Sequence, residues 1–477
     1  MPETSPRLDE LLAAGRRAHH EGRHADAERS YRAVLALDAD HPEATFLLAV
    51  TCHATGRLDE AFRLGHRAWE RNPQNADWRT GVMHISNDIG KADGVPACEG
   101  WVREAGDFAA WMGLGNALRE AGRLEEANGA YRQAQTLKPD SPFVARRHAA
   151  LLAITGDNQA ADGLFRQSAH AGLWPDGVMH LSREFFDGLE RDRASLAATI
   201  SPLQGAFGDA AGKTVILISG DPVYLRRFLY ALVNSARLNG GIECLFHVHV
   251  VKPDATIVQD VEQVRADLQV SLACTWEHPD LTDGEQLRVY YACARFAQLP
   301  RLMDAYCAPI LVLDLDQLVV GGLGALRSRM AACDIGIIQW HPSRWDPWDM
   351  FWASAVWFQP TPAAREFADW NARYLAACLR SGGLQWMLDQ ASLFCVRAHL
   401  AAIGRAPRFE MLPPGMALLA GSLTESAPQA SPPAGTVFWS IIFSLTVNHS
   451  ALDHPLFKRY LRPGPPGTGM DGAGRQA

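Results

Sequence analysis

The segment GRHADAERSY (Gly22–Tyr31) returns as GRLDEAFRLG (Gly56–Gly65), and the register holds around it: Gly22 to Gly56, Ala27 to Ala61 and Ala39 to Pro73 are each 34 residues apart. GRLEEANGAY (Gly122–Tyr131) and GDNQAADGLF (Gly156–Phe165) repeat the pattern at the same spacing, with Ala127 to Ala161 and Tyr131 to Phe165 in step. A fixed period of this size means one small unit stacked on itself. The residues say what the unit is. The glycine suits a turn between two short helices, where a missing Cβ costs nothing. The alanine five positions later lets the helices approach, and the aromatic four beyond that is expected to fill the next layer. Pro73 and Pro139 end the second helix of their units. A degenerate unit over about 76–107 has Gly90 at its turn, with Gly94 and Pro96 interrupting its second helix.

These five units, over about 8–175, resemble the tetratricopeptide repeat, an all-α solenoid whose groove docks a polypeptide partner. A spacer or dimer surface is the alternative. His19, His20, His53, His66 and His84 are expected to be packed or exposed and not metal ligands. HLSREFFDGLERDRASLAATI (180–200) reads as an amphipathic helix capping the solenoid, and Gly- and Ala-rich 201–213 marks a boundary. The region 176–210 is therefore taken as capping helix and linker.

Composition narrows the function. The 477-residue chain has 45 Lys and Arg against 53 Asp and Glu, a net charge of −8, so it lacks the basic excess that grips a nucleic-acid backbone. No apolar run reaches 18 residues, so no transmembrane segment is expected. The amino terminus has no secretory-signal pattern. Nine scattered cysteines without a CxxC pair suit reduced thiols and a cytoplasmic location.

From Thr214 the period changes. TVILIS (214–219), ECLFHVHVV (243–251), VSLACTW (270–276) and APILVLDLDQLVV (308–320) read as strands. They alternate with helices over 224–240, 255–268 and 288–306, which argues an α/β domain with a largely parallel sheet. Ligands of such sheets lie beyond the carboxyl ends of the strands. In ILVLDLDQLVV the i, i+2 spacing of Asp314 and Asp316 puts both carboxylates on one face of a strand end. Such a pair suits a hard divalent cation, Mn²⁺ or Mg²⁺. The bare triplet is a weak signal, since Asp38 and Asp40 match it inside the repeats.

The stretch RVYYACARFAQLPRLMDAY through APILVLDLDQLVVGGLGAL resembles the core of GT-A-fold glycosyltransferases, nearest to the retaining family that includes glycogenin and bacterial lipopolysaccharide transferases. The likeness covers about 211–450, within a domain read as 211–461. It implies a Rossmann-like nucleotide-diphospho-sugar transferase that moves a hexose from a nucleotide-sugar, a UDP-sugar favoured, to a protein or glycan acceptor. Asp314 and Asp316 match the metal-binding pair, and Asp314 also the donor site. Arg295 matches an Arg on the preceding helix. FWASAVWFQPTPAAREFADW (351–370) resembles the strand and helix after the donor site. GLQWMLDQASLF (383–394) places Asp389 and Gln390 on the pair that reaches the sugar. The first strand's tip, Ser219, Gly220, Asp221 and Tyr224, is where the base would lie. Two departures stand out. Ala353, Ser354 and Ala355 occupy the family's Asn-x-Gly. No counterpart exists to its carboxy-terminal His and Lys-Pro-Trp, although His449 is the nearest candidate for the third metal ligand.

Five tryptophans between Trp340 and Trp357 suggest an acceptor wall or a lid packed on the sheet. Residues 462–477, rich in Pro and Gly, are expected to be disordered. The first reading is a metal-dependent glycosyltransferase whose repeats recruit the acceptor or a protein partner. The second is a non-catalytic repeat scaffold with a degenerate GT-A domain, and a sugar-nucleotide hydrolase or nucleotidyltransferase is a third.

Overall fold

The repeat glycines sit where the backbone needs them. In the computed structural model, Gly22, Gly56, Gly122 and Gly156 have φ of 74°, 78°, 73° and 95°. This is the left-handed conformation that ends a helix cheaply only at glycine. The residue after each glycine donates its N–H five residues back, as Arg23 to Ala18, Arg57 to Cys52, Arg123 to Leu118 and Asp157 to Leu152, at 2.8–2.9 Å. Each closed turn starts the next helix. The hairpins are Thr4–His20 with His24–Leu37, Pro42–Ala54 with Leu58–Arg71, Phe108–Glu120 with Leu124–Leu137, and Pro142–Thr155 with Asn158–His170.

Ala27, Ala61, Ala127 and Ala161 are fully buried, as close helix approach requires. The aromatics do something different from what the spacing suggested. Tyr31 lies on Gly15 and Tyr131 on Gly115, each within its own hairpin and not in the next layer. A Cβ on Gly15 or Gly115 would stand 2.5 or 2.6 Å from the ring. In the irregular middle unit, the helix Val95–Glu104 carries Pro96 near its start, where the missing N–H is harmless.

The structure describes residues 4–72, 95–104, 106–171, 176–339, 346–419, 435–440 and 455–462, with isolated positions between 75 and 88. The chain divides into two units, 1–173 and 174–477. Pro73, His84, Gly90, Gly94, Trp340, Trp345, His449 and the expected disordered tail beyond 462 lie outside the described residues. Among the described residues no helix is long and apolar enough to cross a membrane.

The second unit has strands β1 (Gln204–Ala206), β2 (Thr214–Gly220), β3 (Cys244–Val251), β4 (Ser271–Glu277), β5 (Ile310–Leu313), β6 (Gln317–Val319), β7 (Ile335–Gln339), β8 (Phe351–Phe358), β9 (Phe409–Leu412), β10 (Ala417–Leu419) and β11 (Phe438–Ser440). The main sheet runs β1-β4-β3-β2-β5-β8-β7-β9, and a small one β10-β11-β6. Strands β4, β3, β2 and β5 are mutually parallel, while β8 lies antiparallel between β5 and β7 and β1 lies antiparallel on β4. The sheet is thus mixed and not largely parallel. Helices cover both faces of its centre, which is why β2 and β5 are continuous apolar runs.

Three segments depart from the sequence reading. Residues 180–200 form two helices, Arg183–Arg191 and Arg193–Thr199, and belong to the second unit. Their apolar side chains Phe186 and Leu189 are buried there, and Phe186 stacks on His399 at 3.9 Å. Arg380 pairs with Asp192 at 2.9 Å and Arg193 with Asp369 at 3.2 Å, tying both helices to the helix Pro362–Arg380. The expected helix over 288–306 breaks at Gln298 into Gly284–Ala297 and Leu299–Tyr306. Pro300 has no N–H and its ring would crowd the carbonyl of Phe296. The expected strand over 308–320 splits into β5 and β6, which belong to different sheets.

Candidate functional site

The order of the main sheet reverses at β2, which has β3 on one side and β5 on the other. The crevice beyond the carboxyl ends of strands at such a reversal is where open α/β sheets bind ligands. Both chain segments singled out by sequence converge there: the tip of β2 with the following helix Pro222–Asn239, and the link between β5 and β6.

That link corrects the geometry read from D-x-D. Asp314 and Asp316 lie in a three-residue turn and not on one face of a strand. Leu315 between them is 3% exposed and packs on the end of β2. A Cβ on Gly220 would stand 2.9 Å from Leu315 Cδ2, so glycine is what allows the leucine to seat. With Leu315 anchored, the two carboxylates find separate partners. Asp314 Oδ1 lies 2.6 Å from Arg295 Nη2, and Asp316 Oδ2 accepts the Tyr224 phenol at 3.0 Å.

Arg295 is 3% exposed and reaches three groups with one nitrogen: Asp314, Asp389 Oδ2 at 3.4 Å and the Ala353 carbonyl at 3.3 Å. The Asp314 N–H donates to the Ser354 carbonyl at 2.9 Å. Ala353, Ser354 and Ala355 are buried in β8, and the first two act here through their backbone. Asp389 stands in the first turn of the helix Leu388–Ala402, where its Oδ1 accepts the Gln390 N–H at 2.9 Å. Gln390 itself turns away and places its Nε2 2.9 Å from Met387 Sδ. Met387 has φ of 68°, a strained conformation for a side chain of its kind.

The electrostatics follow from three carboxylates near one guanidinium. Burial and then the charge of Asp314 raise the Asp316 pKa above the carboxylate range. Burial raises Asp389 to about 6; Arg295 pulls it back and Asp314 pushes it up. The Tyr224 phenol is held protonated, first by burial and then by the charge of Asp316. At the β2 tip, Asp221 caps the helix by accepting the Tyr224 N–H at 2.9 Å. Ser219 Oγ is buried without a hydrogen-bond partner.

The structure therefore brings Arg295, Asp314, Asp316, Asp389, Gly220 and Tyr224 together, keeps Asp221 as a helix cap beside them and turns the Gln390 side chain elsewhere. His449 lies outside the described residues. Among the described residues, no group of three or more His, Cys, Asp or Glu side chains is placed to hold a metal ion. Trp348 and Trp357 are buried and Trp352 packs against the same core, so the described part of the tryptophan-rich segment is packed on the sheet.

Sequence reasoning missed two residues. The Tyr291 pKa is raised by burial and then by the charge of Asp221. In RVYYACARF it reads as an ordinary core-facing aromatic. Trp386, 41% exposed, directly precedes the strained Met387. Its signal was present in GLQWML but was overshadowed by the Asp-Gln pair.

Comparison with known proteins bears on the other unit. Two family models, both described as tetratricopeptide repeat, match residues 18–82 and 100–142. The amino-terminal region carries tetratricopeptide repeats. Similar solved structures cover about a third of the chain. A MamA RS-1 ArsTM double mutant is 17% identical, covering 34% of this chain and 93% of its own, with a TM-score of 0.22. MamA 41-end from Desulfovibrio magneticus RS-1 is 17% identical over 34% and 94%, TM-score 0.21. A thermophilic TPR protein from Thermus thermophilus is 17% identical over 34% and 90%, TM-score 0.22. The family models, and not these scores, carry the assignment of the tetratricopeptide repeats. No curated protein matches the chain.

Proposed function

We propose that the second unit is a GT-A-like, metal-dependent glycosyltransferase that moves a hexose from a nucleotide-sugar to an acceptor recruited by the tetratricopeptide repeats. One observation carries the reading: Arg295, buried beneath the switch-point crevice, bridges Asp314 and Asp389, two residues 75 positions apart that the resemblance assigned independently to donor and sugar. A structural ion pair needs no such convergence at the mouth of a sheet.

The residues present fit a hard cation. After burial, the charge of Asp314 helps to raise the Asp316 pKa, and a divalent cation held by these two carboxylates would relieve that repulsion. Mg²⁺-type ions are commonly held by one or two carboxylates, with substrate phosphates and water completing the shell. When bound, such an ion supplies charge neutralisation for the leaving diphosphate.

The chain's own groups do the rest. Tyr224 holds Asp316 in place through its phenolic hydrogen. Arg295 fixes Asp314 and orients Asp389 towards the crevice. Transfer at the sugar carbon develops positive charge, as in glycoside hydrolysis, and Asp389 is the carboxylate available to face it. Asp221 and Tyr291 border the place of the base. Retention of configuration, the UDP-sugar and Mn²⁺ rest on the resemblance, as does a cytoplasmic setting on the free state of all nine cysteines.

The competing reading, a non-catalytic scaffold, is favoured by Gln390 turning onto Met387 and by the buried Ala353–Ala355 run. A panel of nucleotide-sugars with Mn²⁺ separates the two. Metal-dependent release of nucleoside diphosphate from one donor is expected, reduced at least about a hundredfold in Asp316→Ala. No turnover and no thermal shift with any donor would leave the scaffold.

A further inference from the structure

We propose that Glu277 is a positioning residue of the site, holding in register the helix that carries Arg295; this rests on the function proposed above. Glu277 is the last residue of β4 and is completely buried. Its Oε2 accepts a hydrogen bond from Gln298 Nε2 at 2.5 Å. Gln298, also completely buried, closes the helix Gly284–Ala297 and opens the helix Leu299–Tyr306. Arg295 stands about one turn before it, about 4.5 Å along the axis and about 60° round it. One rigid element therefore runs from the Glu277 contact at 2.5 Å to the Arg295–Asp314 contact at 2.6 Å.

The anchor is itself held. Gln298 Nε2 also donates to the Ser201 carbonyl at 2.9 Å, and its Oε1 accepts from Arg301 Nη1 at 2.8 Å. Arg301 donates in turn to the carbonyls of Ser201 at 2.6 Å and Ile200 at 3.3 Å. On the sheet side, Glu277 Oε1 lies 3.1 Å from His249 Nε2. His249 Nδ1 lies 3.1 Å from the Thr275 hydroxyl, which is 2.9 Å from His247 Nε2. Thr275 is paired with His249 across β3 and β4, and Glu277, two residues on, shares its face of the sheet.

Stability alone does not account for this carboxylate. Among the described residues, no Lys or Arg comes within ion-pair distance of Glu277. Burying a carboxylate costs desolvation, and an apolar side chain of similar volume in place of such a group is often neutral or stabilising. What the carboxylate supplies is direction: it accepts from Gln298 at one azimuth of the helix, whereas a leucine would let the helix roll. Arg295 leaves little room for rolling. Its Nη2 serves Asp314, Asp389 and the Ala353 carbonyl at 2.6–3.4 Å, and a misplacement of about 1 Å at such a site can cost about a hundredfold in rate.

Steady-state release of nucleoside diphosphate by the full chain, with the donor that the panel identifies, tests the role. Glu277→Leu is expected to lower kcat about tenfold to a hundredfold, with the donor KM within about twofold and the melting temperature not lowered. Glu277→Gln, whose amide oxygen can still accept from Gln298, recovers most of the loss. Gln298→Met cuts the same contact from the helix side and is expected to match Glu277→Leu, so the test stands even where Glu277→Leu does not fold. Added to Arg295→Gln, either change takes away nothing further, because both act through one guanidinium. A wild-type kcat in these variants, losses that add to that of Arg295→Gln, or a loss that only follows a lower melting temperature would overturn the role and leave the proposed function standing. A wild-type protein that turns over no donor would overturn the proposed function and this role together.

Discussion

Asp389 enters the folded chain with its charge opposed. Its pKa rises to about 6 because burial outweighs the help of Arg295. Between about pH 4 and 6 the folded state therefore holds a proton that the unfolded chain has released, and stability falls as pH rises through that window. Above it the full cost stands, on the order of 3 kcal/mol. Asp389→Asn keeps the shape and removes the charge. It is expected to raise the melting temperature of the second unit by several degrees at pH 7.5 and to match the wild type at pH 4, as scanning calorimetry at the two values would show. A variant that melts lower at pH 7.5 would mean that the Arg295 pair is worth more than the burial costs. A residue kept charged against its own stability is what a working site looks like. Little of this was legible. The Asp-Gln pair was visible in the sequence, but the turning of Gln390 onto Met387 depends on a left-handed residue that no local pattern announces.

At the scale of elements, the helical hairpins were readable because their signals are local: a left-handed glycine, a small residue and an aromatic at fixed offsets. The segment 308–320 was not. ILVL, then DLDQ, then LVV reads as one strand by period, and only the seating of Leu315 on Gly220, a contact nearly 100 residues apart, makes it turn into a second sheet. The break of 288–306 was legible in Pro300, yet the apolar period ran across it. The repeats allow a sharper test of what a glycine is for. Gly115 supports the Tyr131 ring, and a Cβ there would stand 2.6 Å from it, whereas a Cβ on Gly129 of the partner helix meets nothing within 4 Å. Gly115→Ala is expected to cost about 1–3 kcal/mol through overpacking. Gly129→Ala is expected to stabilise by about 0.5–1 kcal/mol through helix propensity. Chemical denaturation followed by far-ultraviolet circular dichroism distinguishes them, and equal effects of one sign would contradict the packing argument.

For the whole molecule, the sequence reads as a repeat unit and an α/β unit, and the structure divides after residue 173, which puts 180–200 with the second. Its amphipathic pattern announced a buried face without saying against what, and the answer lies in Trp370, Tyr374 and His399, some 200 residues away. That same packing makes an acid-sensitive core. Burial lowers His399 to about 4 and His247 to about 3 in the second unit, and His148 to about 4 in the repeats. His247 is enclosed by the Tyr306 hydroxyl at 2.6 Å and the Thr275 hydroxyl at 2.9 Å, and His148 by Gln135 and Asn128. Each contributes stability that is fully present above the ordinary histidine value near 6.5 and is lost as pH falls towards 4. At pH 5 this is about 2 kcal/mol per histidine, and in the second unit it is opposed by the raised carboxyls of Asp316 and Asp389, which stabilise as pH falls. The repeat unit is accordingly expected to melt lower at pH 5 than at pH 7.5. His399→Phe preserves the stack on Phe186 and removes one titration, so it should raise the pH 5 melting temperature and leave that at pH 7.5 nearly unchanged. An equal shift at both values would show that the ring, and not its proton, is what the core senses.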